Sequence, residues 1–233
     1  RYIPFVLTKN LNMKILVVSP HMDDEVIGCG GTIARHVRVG HEVYVCFIAH
    51  RIYERKYDKI RNQKEVEHAL DAKNTLGYKE AEFFSLNDER LDSCIQDIII
   101  PLEDSISKIK PDIVYSPFYG DNHQDHRAVF QAVRVAIRPS AKVTPRRWLL
   151  YETPSSTDQS PPIMESAFMP NHYVDVTEYI DKKVKAYNCY ETEKRNYPHS
   201  RSEEALKIIA QKRGIEIGFK YAEAFMVMRD KWE

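Results

Sequence analysis

Lys14-Ile15-Leu16-Val17-Val18-Ser19 runs directly into Pro20-His21-Met22-Asp23-Asp24-Glu25. The first half is a short continuous apolar run, which marks a strand covered on both faces. The second half is a knot of imidazole and carboxylate at that strand's end. A helix pattern follows from about Glu25 to Val39 and stops at Gly40. Gly28, Gly30 and Gly31 fall inside this helix rather than before it, and GxGxxG spacing is missing. Close packing of the helix on a sheet therefore reads better than a dinucleotide loop.

Outward from this unit the pattern repeats. Glu42–Ile48 is a second buried strand, and a charged loop, Ala49–Tyr57, leads to a helix over Lys59–Leu76 closed by Gly77. Glu82–Phe84 reads as a brief strand and Cys94–Ile109 as a helix kinked or broken at Pro101. Asp112–Ser116 is a strand, Asp125–Ile137 a helix and Arg147–Tyr151 a strand. Strands alternating with helices predict an α/β fold of parallel βαβ units. Glu152–Pro170, rich in Pro, Ser and Thr, is a long surface loop of the kind often tied to function. Tyr173–Val176 is a short strand, Thr177 can cap a helix running to about Glu193, and Ser202 with Glu204 opens another ending near Gly214. Ala222–Met228 fits a strand or a helix. One domain, residues 13–233, is expected. Residues 1–12 are either an extension or cloning remnant before a natural start at Met13, or a native arm.

Composition narrows the function. The chain has 233 residues, 43% hydrophobic and 29% charged, an ordinary globular balance that excludes wholesale disorder. Lys+Arg and Asp+Glu cancel at 34 each, so nothing recommends nucleic acid or an anionic membrane as partner. No apolar run approaches the ~18 residues of a membrane span, and Arg1–Asn12 does not resemble a signal peptide. Four scattered cysteines without a CxxC pair suit a reducing, cytoplasmic setting. Cys29 and Cys46 read as small core residues.

A second polar knot, His123-Gln124-Asp125-His126, follows the strand ending at Ser116. In an open parallel sheet, sites form beyond the carboxyl ends of the strands, so both knots project to one edge. Imidazole plus carboxylate suits a borderline divalent metal. Asp23 and Asp24 are neighbours and point different ways, so one can bind metal while the other faces its bound water as general base. His126 can supply a further ligand. His123 can donate to a developing oxyanion or protonate a leaving amine, and Asp125 can orient one of these imidazoles. Taken singly, each knot could simply complement a helix N-terminus. Together, each after a buried strand, they favour a metal site.

Pro20–Glu25 with Gly28-Cys29-Gly30-Gly31-Thr32, and His123–His126, resemble the two leading motifs of the LmbE-like/PIG-L family of zinc-dependent N-acetylglucosamine deacetylases. Tyr173–Thr177 and Tyr221-Ala222-Glu223-Ala224-Phe225 are similar to weaker segments of the family, so the resemblance spans Lys14–Phe225. It implies a Rossmann-like three-layer α/β sandwich with a mostly parallel sheet. It also implies Zn2+ held by His21, Asp24 and His126, with Asp23 as general base and His123, backed by Asp125, as oxyanion stabiliser or acid. The reaction implied is removal of acetyl from a small N-acetylated amino sugar, in a chain that assembles as trimers or hexamers. Arg61 is the implied substrate contact, although its spacing here is about one helical turn longer than the family's. Arg51 competes for that role, and a solvated surface arginine is its plainer reading. Tyr119 is either a hydrogen-bond donor near the oxyanion or a loop aromatic. Phe168 and Tyr173 either stack on a pyranose or pack the core. An amidase of a thiol-sugar conjugate fits the same machinery. A non-catalytic metal- or sugar-binding module is the other alternative, and an intact Asp23 argues against it.

Overall fold

The computed structural model describes residues 12–50 and 59–232, the side chains of residues 59–61 excepted. Among the described residues seven strands form one sheet: β1 (Lys14–Ser19), β2 (Glu42–His50), β3 (Glu80–Asn87), β4 (Ile113–Pro117), β5 (Arg147–Tyr151), β6 (His172–Asp175) and β7 (Ala222–Asp230). Their spatial order is β3-β2-β1-β4-β5-β7-β6. The first five are mutually parallel, and β7 runs antiparallel between β5 and β6. The undecided segment Ala222–Met228 is thus a strand, inserted inside the sheet rather than added at its edge. The mostly parallel three-layer α/β sandwich expected from the sequence is the observed architecture.

The helices are α1 (Asp24–Arg38), α2 (Lys59–Leu76), α3 (Ile95–Ile109), α4 (Gln124–Ala136), α5 (Ile180–Tyr187) and α6 (Glu203–Ile215). α1, α2 and α5 pack together on one face, and α3 with α4 on the other. Alternation along β1 explains why both faces must be covered. Ile15 and Val17 point into the α1 layer while Leu16 and Val18 point into the α3–α4 layer, all fully buried. α3 continues through Pro101 rather than breaking there, with the Ser105 hydroxyl donating to the Pro101 carbonyl. Thr177 does not cap α5. That helix begins at Ile180 and ends at Tyr187, shorter than its apolar pattern suggested.

Gly28 and Gly31 of α1 are steric necessities. A Cβ at Gly28 would lie 2.4 Å from Tyr151 Cδ2, and one at Gly31 would lie 2.7 Å from Val176 Cγ1. The helix lies against β5 and the start of the β6–α5 connection at backbone distance. An ion pair enters its ladder at the same level. Glu223 of β7 accepts from Gly31 N (2.9 Å) and Thr32 N (2.7 Å), and Lys183 of α5 donates to the Ile27 carbonyl (2.7 Å) and to Glu223 (2.7 Å). The Tyr221–Phe225 segment singled out from sequence therefore ties the last strand to the first helix.

Candidate metal centre

The sheet order places β1 beside β4 with the chain leaving them in opposite directions, a topological switch point where a crevice opens. His21, Asp23 and Asp24 sit at the β1–α1 turn, His123, Asp125 and His126 at the start of α4. One ligand atom from each of His21, Asp24 and His126 lies within 4.8 Å of the others, and the same holds for His21, His123 and Asp125. His21 Nδ1 is 3.1 Å from Asp24 Oδ2, and His126 Nε2 is 3.2 Å from the same oxygen. All three side chains are buried. Asp24 Oδ1 has no hydrogen-bond partner, and neither ring nitrogen of His126 is aligned for one. Buried polar atoms left in this state are costly unless something else satisfies them. The donor set suits a divalent cation of zinc's type.

Carboxylates surround these imidazoles. His21 Nε2 meets Asp88 Oδ1 at 2.9 Å and Asp125 Oδ2 at 3.1 Å, and His126 Nδ1 lies 3.3 Å from Asp121 Oδ1. Burial alone would lower the His21 pKa, but hydrogen bonds to Asp125, Asp24 and Asp88 outweigh it and hold the group well above its ordinary value. For His126 burial is likewise overcome, by Asp24 and Asp121, and its pKa rises to about 9. The pocket's field therefore attracts positive charge. Asp125 accepts from Glu89 N (2.7 Å) and Leu91 N (3.0 Å), so its carboxylate is rigid. The imidazole it meets is His21, which corrects the expected pairing of its carboxylate with His123.

His123 takes a different part. As N-cap of α4 its Nδ1 accepts from Asp125 N at 3.2 Å. Burial, then the nearby positive imidazoles, push its pKa down to about 4. It is neutral near pH 7, and an accepting Nδ1 leaves the proton on Nε2. The helix-start reading of His123 thus holds, with the ring capping α4.

Asp23 is held in an unusual backbone. Its φ of 138° is rare for a non-glycine residue and costs about 1–3 kcal/mol. Its side chain does not cap α1. It meets Arg201 instead, Nη1 to Oδ2 at 2.9 Å. Glu25 lies beneath, accepting from Asp23 N (3.2 Å) and from Tyr190 Oη (2.5 Å). Beside His123 a cleft of about 300 Å³ is lined by Gln124, Ser155, Gln159, Arg195 and Arg201 among others.

Asp88, Asp121 and Arg201 escape the sequence reading. The first two follow β3 and β4 at the same sheet edge, so the strand-end rule that found the two knots would also have found them. Asp121 is fastened by the hydroxyls of Ser156 and Thr157 from the loop after β5. Arg201 lies 178 residues from Asp23 and carries no local signal. Tyr119 packs on Phe118 and Phe130. Phe168 packs edge-on against Phe118 beneath the Arg213 guanidinium, and Tyr173 donates to Glu216. Arg51 and the side chain of Arg61 lie outside the described residues, as do residues 1–11. No helix among the described residues is long and apolar enough to cross a membrane.

The family described as PIG-L: GlcNAc-PI de-N-acetylase matches residues 16–137, which carry both knots. An uncharacterized deacetylase, YaiS, of Escherichia coli (strain K12) is 31% identical over 183 residues, covering 76% of this chain and 90% of YaiS. The chain belongs to the PIG-L family of deacetylases. The N,N'-diacetylchitobiose deacetylase of Pyrococcus horikoshii superposes with a TM-score of 0.73 at 23% identity, covering 93% of this chain and 84% of that one. GalB, the 4-carboxy-2-hydroxymuconate hydratase of Pseudomonas putida KT2440, superposes at 0.71 and 21% identity, covering 95% and 98%. At such identities the likeness is one of fold. A deacetylase and a hydratase share it, so the activity must be argued from the site.

Proposed function

We propose that this deacetylase removes the N-acetyl group from a GlcNAc-type amino sugar or glycoconjugate, with His21, Asp24 and His126 holding a divalent cation, Zn2+ by donor type. A divalent cation held by these residues would supply Lewis acidity, lowering the pKa of water to about 7 and polarising an amide carbonyl. Asp23 takes the proton released as water attacks and returns it to the departing nitrogen. His123, neutral and with Nδ1 occupied, offers Nε2–H to the oxygen that gains charge. Asp125 and Asp88 orient the His21 ring. The cleft beside His123 receives the sugar. Amide plus water becomes free amino sugar plus acetate. Arg61 stays a candidate substrate contact on the resemblance alone.

The observation that carries this reading is the buried grouping of His21, Asp24 and His126 within 4.8 Å, with Asp23 adjacent. The test is metal analysis alongside acetate release from a panel of N-acetylated sugars. Asp23→Asn keeps the metal and loses turnover by about 10²–10⁴-fold, the usual share of a general base. His126→Ala loses the metal. A fully active Asp23→Asn, or unchanged metal content in His126→Ala, contradicts the assignment.

A further inference from the structure

Asp23 is not positioned by its own helix. Its carboxylate is met by a guanidinium contributed from just before α6, Arg201 Nη1 to Asp23 Oδ2 at 2.9 Å. The same guanidinium donates from Nε to Ser155 Oγ at 2.7 Å and lies 3.5 Å from Glu193. Ser155, like Asp23, is a non-glycine residue at positive φ, 79° against 138°. One planar fork therefore joins two strained turns, the one after β1 and the one after β5. Left-handed backbone at a residue with a side chain persists only where surrounding contacts over-determine it. Arg201 supplies such a contact at both places. Its side chain is 17% exposed, and the residue lines the cleft beside His123. The next residue, Ser202, caps α6 by accepting from Ala205 N (3.1 Å), which fixes the base of the arginine.

We infer that Arg201 is the positioning residue for Asp23, holding its carboxylate where it can exchange a proton with the attacking water. The inference rests on the reading of Asp23 as general base. A guanidinium suits the task because its rigid fork engages two acceptors in fixed directions, which a lysine ammonium does not. It also keeps a positive charge beside the carboxylate throughout the proton's transfer to and from Asp23.

The test compares wild type, Asp23→Asn, Arg201→Gln and Arg201→Lys in the metal-loaded protein. Acetate release is measured on N-acetylglucosamine, N,N'-diacetylchitobiose and other N-acetylated amino sugars, with metal content and Tm recorded for each variant. Arg201→Gln lowers kcat by about ten- to a hundredfold, the scale of a misplaced reacting group, with KM and metal content held near wild type. Arg201→Lys, which keeps the charge, is faster than Arg201→Gln. If Arg201→Gln does not fold, a reduced kcat in Arg201→Lys at unchanged KM and metal content supports the role, and a wild-type kcat there overturns it. The role is also overturned by a raised KM at constant kcat, which would make Arg201 a wall of the cleft, by loss of metal in proportion to activity, or by equal rates for the Gln and Lys variants. Failures separate cleanly. A silent wild type, or a fully active Asp23→Asn, removes the hydrolytic reading and this inference with it. An inactive Asp23→Asn beside an unimpaired Arg201→Gln removes the inference alone.

Discussion

Lys183→Met is the most informative perturbation of the scaffold. Lys183 and Glu223 are 5% and 4% exposed, and the ammonium bonds both the Glu223 carboxylate and the Ile27 carbonyl at 2.7 Å. Methionine preserves the apolar stem but strands a buried carboxylate and leaves a helix carbonyl unmatched. Breaking one side of a buried pair costs about 3–5 kcal/mol. Gly31 N and Thr32 N still hold Glu223, so the loss falls near the lower bound, about 3 kcal/mol. In a domain of this length each kcal/mol moves Tm by about 2–4 °C, giving a drop of about 6–12 °C. Urea unfolding followed by circular dichroism gives the free energy, and a thermal melt gives the shift. Adding Glu223→Gln to Lys183→Met recovers at least about 1 kcal/mol, because the stranded charge is gone. A loss under about 1 kcal/mol in Lys183→Met, or single-variant losses that simply add to within about 0.5 kcal/mol in the double variant, would refute the reasoning.

Two further predictions concern the same helix. Gly28→Ala destabilises by about 1–3 kcal/mol, since Tyr151 is fully buried, tethered by its hydroxyl to the Val18 carbonyl, and has nowhere to retreat; an unchanged melting temperature would show that the close approach is not real. Glu25→Gln is stabilising in a pH-dependent way. Burial, then the charges of Asp23 and Asp24, raise the Glu25 pKa from 4.5 to about 8, so between those values the unfolded chain has released a proton that the fold retains. Stability attributable to Glu25 therefore falls as pH rises through that window. In melts of metal-free protein the advantage of Glu25→Gln grows from pH 5 to pH 8, and one that grows toward acid would be the wrong sign.

The parallel half of the fold is plain in the sequence because physics leaves little choice there. A strand covered on both faces must be largely apolar, and Ile15–Val18 of β1, Val43–Ala49 of β2 and Ile113–Tyr115 of β4 are unbroken apolar runs. β7 is ambiguous because only its first four residues are buried and the rest are partly wet. β3 is longer than its Phe83–Phe84 centre suggests, since its flanking Glu80 and Asn87 pair by backbone at the sheet margin. The two knots are legible because strand ends converge by rule. What holds them is not. Arg201 and Glu223 act over 178 and 192 residues, and no local spacing encodes such a contact. The family resemblance pointed to Tyr221–Phe225 without saying what its glutamate does.

Glu223 braces the first helix from 192 residues further along the chain. A ribosome making this chain therefore releases His21, Asp24 and His126 well before it releases the strut that stiffens the helix bearing Asp24. Until β7 slots between β5 and β6, that helix lacks its brace. The architecture thus makes the bracing of α1 wait for a strand translated long after it.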